Sequence, residues 1–122
     1  MARIYRVEFP HPEGGYIGPY NLPYGDRSEE LDCLLDNMGW AHNGMNSNRH
    51  PVMWGDPGCS IAVRSMKLLY RWFGGYLPLL LEHGARIGVY EVPEEFIVDE
   101  DRYQVAFVRK WAKDVTPMSE KV

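Results

Sequence analysis

Proline and glycine punctuate this chain so densely that no regular element can run far. Between positions 10 and 27, Pro10, Pro12, Gly14, Gly15, Gly18, Pro19, Pro23 and Gly25 exclude a helix or strand of ordinary length. Further breaks follow at Gly39, Gly74-Gly75, Gly84 and Pro93. The chain must therefore build its core from short elements joined by loops. With 122 residues, 45% apolar and 25% charged, it has the size and composition of one globular domain that needs no disulfide or metal staple.

Between the breaks the periodicities are plain. Tyr5, Val7 and Phe9 alternate with Arg6 and Glu8, which predicts a strand over 4–9 with one apolar face, stopped by Pro10. Ser28 is placed to cap a helix whose first turn carries Glu29 and Glu30, where carboxylates oppose the positive end of the helix dipole. Leu31, Leu34, Leu35 and Met38 then fall at i, i+3, i+4 and i+7, and Gly39 is the expected stop. Residues 39–58 show no period and read as a long functional or irregular loop. A short strand is expected over 60–64, with Ile61 and Val63 on one face. Ser65 then caps a second helix with Leu68, Leu69, Trp72 and Phe73 inward. Pro78 suits the first position of a short third helix ending at Gly84. Strands over 86–92 and 103–109 flank a connector rich in acids, residues 94–101. The expected domain spans 1–113, with a frayed tail over 114–122. The fold class is α+β: a small mixed or antiparallel sheet of about four short strands, with two to three helices packed on it.

Composition narrows the function classes. The longest apolar run, Tyr76 to Leu81, is interrupted by Pro78 and is far shorter than the ~20 residues of a membrane span. The first residues lack the apolar stretch of a secretory signal, so the chain is expected to stay in the cytoplasm of the cell that makes it, with no membrane partner. Cys33 and Cys59 belong to no C-x-x-C pair and read as free thiols. The net charge is −4, and acids concentrate at 26–36 and 94–101. Phosphate contacts supply most non-specific nucleic-acid affinity, so direct nucleic-acid binding is not expected. An acidic surface suits docking onto a basic protein.

Several residue sets could carry chemistry. Tyr16, Tyr20 and Tyr24 recur every four residues among prolines that exclude a helix, and tyrosine supplies rigid, amphipathic contact area. Packing of these rings onto the core is the competing structural reading. His42, His50, Cys33 and Cys59 lack the two-to-four-residue spacing of a structural zinc site, so no metal is expected. His50 with Asp56 could form an acid–base pair, but no nucleophile is marked beside them. Arg64, Lys67 and Arg71 lie on one side of the second helix, as a phosphate grip or simply as its wet face. Glu94, Glu95 and Asp99 to Asp101 read as a solvated turn. None of the phosphate-binding, dinucleotide-binding, nucleophile-elbow or zinc-protease motifs occurs.

Five stretches together resemble a family of small proteins of bacteriophages and prophages. They are Ile4-Tyr5-Arg6-Val7-Glu8, Gly18-Pro19-Tyr20, the helix from Ser65 to Trp72-Phe73, Val89-Tyr90-Glu91-Val92-Pro93 and Gln104-Val105-Ala106-Phe107. The arrangement is also similar, more remotely, to the ADP-ribosyltransferase-like fold. That resemblance implies NAD as a cofactor, with Arg6 on a phosphate, Ser65 beside the nicotinamide and Tyr5 or Tyr20 stacked on a ring. Its catalytic glutamate is matched here by Gln104, which cannot supply the anion, so the resemblance implies an inactive or repurposed version.

Two function classes follow. The first is a small, acidic, non-catalytic phage interaction protein that inhibits a host defence complex in the manner of an anti-CRISPR protein. It would contact a host protein through Tyr16, Tyr20, Tyr24, Glu29, Glu30, Asp32 and Asp36 and need no cofactor. The second is an NAD-using transferase built on Tyr5, Arg6, Tyr20, Ser65 and Gln104. A self-assembling structural phage protein is a third possibility. The missing glutamate favours the interaction protein.

Overall fold

The computed structural model describes residues 1–11, 14–18, 28–41, 58–100 and 104–116, with backbone alone for 37–41. Among these residues the chain forms seven strands and three α-helices. The strands are β1 (Ala2–Pro10), β2 (Tyr16–Ile17), β3 (Cys59–Ala62), β4 (Arg86–Val92), β5 (Ile97–Glu100), β6 (Val105–Val108) and β7 (Lys113–Asp114). The helices are α1 (Glu29–Ala41), α2 (Met66–Phe73) and α3 (Tyr76–Glu82). The α+β class expected from the sequence is what the chain adopts, but its strands make two sheets. One has the order β2-β1-β4-β7 and the other β3-β6-β5, with every pairing antiparallel.

β1 is the centre of the molecule. It pairs with β4 from Ala2↔Val92 to Glu8↔Arg86, so alternate residues face opposite layers. Val7 and Phe9 pack with Leu31 and Leu35 of α1, Leu69 and Phe73 of α2, and Leu77 and Leu80 of α3. Ala2 and Ile4 face the other way and pack with Ala62, Val92, Val105 and Phe107. The helices thus cover one face of the first sheet and the second sheet covers the other. The two sheets are joined where Tyr5 and Val63 exchange backbone hydrogen bonds of 2.8 and 3.0 Å.

Local chemistry explains the helix boundaries. Ser28 Oγ accepts from the Leu31 amide at 3.1 Å, and Ser65 Oγ accepts from the Leu68 amide at 3.2 Å, so both expected N-caps are in place. Gly74, at φ +53°, closes α2. α1 runs past Gly39 to Ala41, two residues beyond the expected stop. α3 begins at Tyr76 rather than Pro78. A proline in the first helical turn is tolerated because the amides there have no intrahelical acceptor to lose.

Three corrections follow from the tertiary arrangement. The supposed acidic connector is a 3₁₀ turn, Glu94–Phe96, followed by edge strand β5. Of the expected frayed tail, 114–122, the first three residues are tied down and 117–122 lie outside the described residues; Asp114 belongs to β7. The Val115 amide bonds the Val89 carbonyl at 2.8 Å, and the Val89 amide bonds Thr116 Oγ1 at 3.1 Å. Two-residue strands and an edge strand with a register shift at Val98 carry no alternation long enough to read. Finally, Arg6 and Glu8 do not face water; they lie between the sheets.

Candidate functional site

An ionic cluster sits where the two sheets part. Glu8 is 2% exposed, yet three polar side chains converge on its carboxylate. Arg86 Nε donates to Oε1 at 3.0 Å, and the Tyr90 hydroxyl lies 2.8 and 3.0 Å from Oε1 and Oε2. Arg6 Nε lies 3.2 Å from Oε2 without a well-aligned hydrogen bond. Arg86 Nη2 also donates to Asp114 Oδ2 at 2.7 Å. Register makes this convergence possible, because Glu8 and Arg86 are direct cross-strand partners on the face shared by Arg6 and Tyr90. Gly88, opposite Arg6, leaves the space: a Cβ there would collide with the Glu8 carboxylate and press on the Tyr90 ring.

The electrostatics follow from burial and partners. Burial pushes the Arg6 guanidinium below its ordinary pKa, partly offset by Glu8. For Arg86 burial acts in the same sense but is outweighed by hydrogen bonds to Asp114 and Glu8, so its pKa is raised. Burial and the neighbouring Glu8 charge push the Tyr90 phenol up to about 12. Burial of Asp114 disfavours its charge, but hydrogen bonds from Thr116 and Arg86 prevail and hold its pKa below the ordinary value. The cluster is internally compensated, with Glu8 opposite Arg6 and Asp114 opposite Arg86.

Its link to the surface is Tyr16. The Arg86 guanidinium carbon lies 3.5 Å from the Tyr16 ring centroid, a cation–π contact that holds one face of a ring still 44% exposed. Tyr16 is therefore neither tucked into the core nor free. Tyr20 and Tyr24 lie outside the described residues, as do His42, His50 and Asp56.

Surface acids divide into two kinds. Arg64 is gripped by both Glu94, at 3.0 Å, and Glu100, at 2.7 Å, which raises its pKa, and Arg3 meets Glu91 at 3.0 Å. Glu8, Glu91, Glu94, Glu100 and Asp114 are thus each matched by an arginine of this chain. On α1, Glu29, Glu30 and Asp36 are exposed and carry no ion pair among the described residues, while Asp32 is half-buried. Arg64 precedes the Ser65 cap and is taken up by these acids. Of the expected basic stripe, only Lys67 and Arg71 lie on α2.

Of the alternative NAD-binding residues, Tyr20 lies outside the described residues, and the other four have the following places. Tyr5 faces the helices and Arg6 the second sheet. Ser65 is committed to capping α2, and Gln104 is fully buried. Cys33 is exposed and Cys59 buried. Among the described residues no group of three or more His, Cys, Asp or Glu could hold a metal ion, and no helix is long and apolar enough to cross a membrane.

A family model described as the bacteriophage T4 Y00F protein matches residues 1–121. The chain belongs to this phage family. No curated protein and no solved structure matches. The match spans both sheets and all three helices, so the family pattern is that of the whole fold rather than of one motif. It includes each stretch on which the phage resemblance rested.

The sequence reading missed the Glu8, Arg86, Tyr90 and Asp114 cluster. Polar residues alternating along a strand have the signature of a wet face, and nothing local announces a second sheet above them. One clue was available: a glycine inside the pattern Arg86–Val92 signals close approach by another group.

Proposed function

We propose that this phage-family protein acts by binding a host protein that presents a basic surface, as an inhibitor of a host defence complex. The observation that carries the reading is the acidic face of α1: Glu29, Glu30 and Asp36 are exposed and carry no ion pair among the described residues, while Glu91, Glu94, Glu100 and Asp114 are each matched by an arginine of this chain. The helix dipole favours acids in the first turn and accounts for Glu29 and Glu30, but it gives no reason for Asp36, two turns further on. Tyr16 supplies a second element, an exposed ring already held by Arg86, so less side-chain freedom is lost when a partner covers it. No cofactor enters this reading.

The test is association with a partner captured from a bacterial host lysate, measured at several salt concentrations. Replacing Glu29, Glu30, Asp32 and Asp36 together by lysine is expected to lower the association rate by about tenfold or more at low salt and to remove its salt dependence. Association indifferent to the four reversals would refute the electrostatic reading.

A further inference from the structure

An aromatic stack stands at one end of the second sheet. The turn Glu94–Phe96 leads into β5 and the turn Arg109–Trp111 follows β6, so the antiparallel pairing of these strands brings the two turns together. There the Phe96 and Trp111 rings lie 4.9 Å apart and within 13° of parallel. Phe96 is half-buried against the core between the sheets, whereas Trp111 is still 50% exposed. Stacking on an anchored ring fixes the plane of the indole while much of it faces water.

Cations flank this ring. The Lys110 ammonium lies 5.5 Å from the indole centroid. Ala112 has extended backbone and packs inward on the core between the sheets, so Trp111 and Lys113 on either side of it project outward. Lys113 stands opposite Glu91 across the β4–β7 pairing, and Glu91 is taken by Arg3 at 3.0 Å. Lys110 and Lys113 are exposed and carry no ion pair among the described residues. Arg109 is not counted with them, because its guanidinium donates to the Cys59 carbonyl and to Ser60 Oγ. In the neighbouring turn Glu94 is held by Arg64, and Glu95 is exposed. Two unmatched lysines thus meet one unmatched acid. The segment 109–113, RKWAK, contains no acid at all, although the chain as a whole carries −4.

A flat ring of fixed orientation beside cations suits a planar base joined to a phosphate. An acidic peptide would use the lysines but has no need of a fixed indole plane. A base inside a duplex has both faces covered, whereas an unpaired base can stack on an aromatic side chain whatever its sequence. We propose that Trp111, backed by Phe96 and flanked by Lys110 and Lys113, is a site for single-stranded nucleic acid, with one base on the indole and adjacent phosphates on the lysines. Two phosphate contacts make the site weak and tolerant of sequence. It is separate from the acidic face of α1 and does not depend on what that face binds.

The test is fluorescence anisotropy of a labelled oligothymidylate of about ten residues at low salt. An abasic oligomer of equal length and charge and a polyglutamate of equal charge are the controls. W111L keeps an apolar cover on Phe96 but removes the flat ring, and K110Q/K113Q removes the cations. Thermal melts show whether both variants fold. The expected result is saturable binding of oligothymidylate, at least about tenfold weaker in W111L. The abasic oligomer should bind weakly and alike to wild type and W111L. In K110Q/K113Q the dependence of log K on log salt should become shallower by about 1.4. If W111L fails to fold, the Trp111 indole N–H resonance of the wild-type protein replaces it, and should shift with oligothymidylate but not with the abasic oligomer. No binding of oligothymidylate at low salt would overturn the proposal, as would equal affinity for the abasic oligomer or indifference to W111L. Polyglutamate bound as tightly as oligothymidylate, and equally sensitive to W111L, would make the turn a dock for acidic peptide and overturn it too.

Discussion

Replacing Glu8 with glutamine removes the one carboxylate that Arg6 meets among the described residues, while changing the side-chain volume little. Arg86 keeps Asp114, and Tyr90 can still donate to an amide oxygen. The cost therefore falls on Arg6, whose side chain is 10% exposed. Stranding a buried charge in this way costs about 3–5 kcal/mol, and partial access to water puts Arg6 at the lower end, about 3 kcal/mol. At about 2.1 cal/mol/K per residue, unfolding this chain of 122 residues carries an entropy of about 0.26 kcal/mol/K. The expected fall in Tm is then about 12 °C, measured by calorimetry or circular dichroism at neutral pH. The exposed pair Arg3–Glu91 is the control: water screens its attraction, so Arg3→Ala should leave Tm nearly unchanged. A second arm tests the cause rather than the size. The double variant Arg6→Met with Glu8→Leu removes both charges and should be more stable than Glu8→Gln alone. A Glu8→Gln loss below about 3 °C, or a double variant worse than the single, would refute the view that Arg6 depends on Glu8 for its burial.

Two further outcomes follow from the same cluster. Gly88→Ala is expected to cost about 1–3 kcal/mol, because β4 is held in a paired strand and cannot retreat from the added methyl. In a Glu8→Ala background the same change should cost far less, which a double-mutant cycle by chemical denaturation would read. Tyr90 titrates near 12 when folded, against an ordinary value of 10.0, so the folded state holds this proton more tightly than the unfolded chain. Its contribution is complete below about pH 10 and is lost as pH rises toward 12. Tyr90→Phe should therefore flatten the alkaline decline of stability in that window; an unchanged decline would place the dependence on other groups.

Local chemistry decided much of this protein. Ser28 and Ser65 cap their helices because a hydroxyl at that position satisfies an amide the helix itself cannot. The leucines of α1 and α2 define inward faces by spacing alone, and the run 86–92, closed by Pro93, marks β4 from end to end. These features depend on residues within one or two turns of each other, so a sequence carries them openly. The phage family was also legible, because its pattern runs along the whole chain. What tertiary structure decided was the use of the polar residues. Arg6 and Glu8 have the spacing of a wet strand face, and only the β3-β6-β5 sheet above them makes them interior. Glu94 and Glu100 have the composition of a solvated turn, and only the approach of Arg64 from 30 and 36 residues away takes up their charge. Glu29, Glu30 and Asp36 of α1 meet no such arginine among the described residues. Charge and hydropathy are properties of a residue, but compensation and burial are properties of a pair of segments, and their pairing is set by the packing of the two sheets.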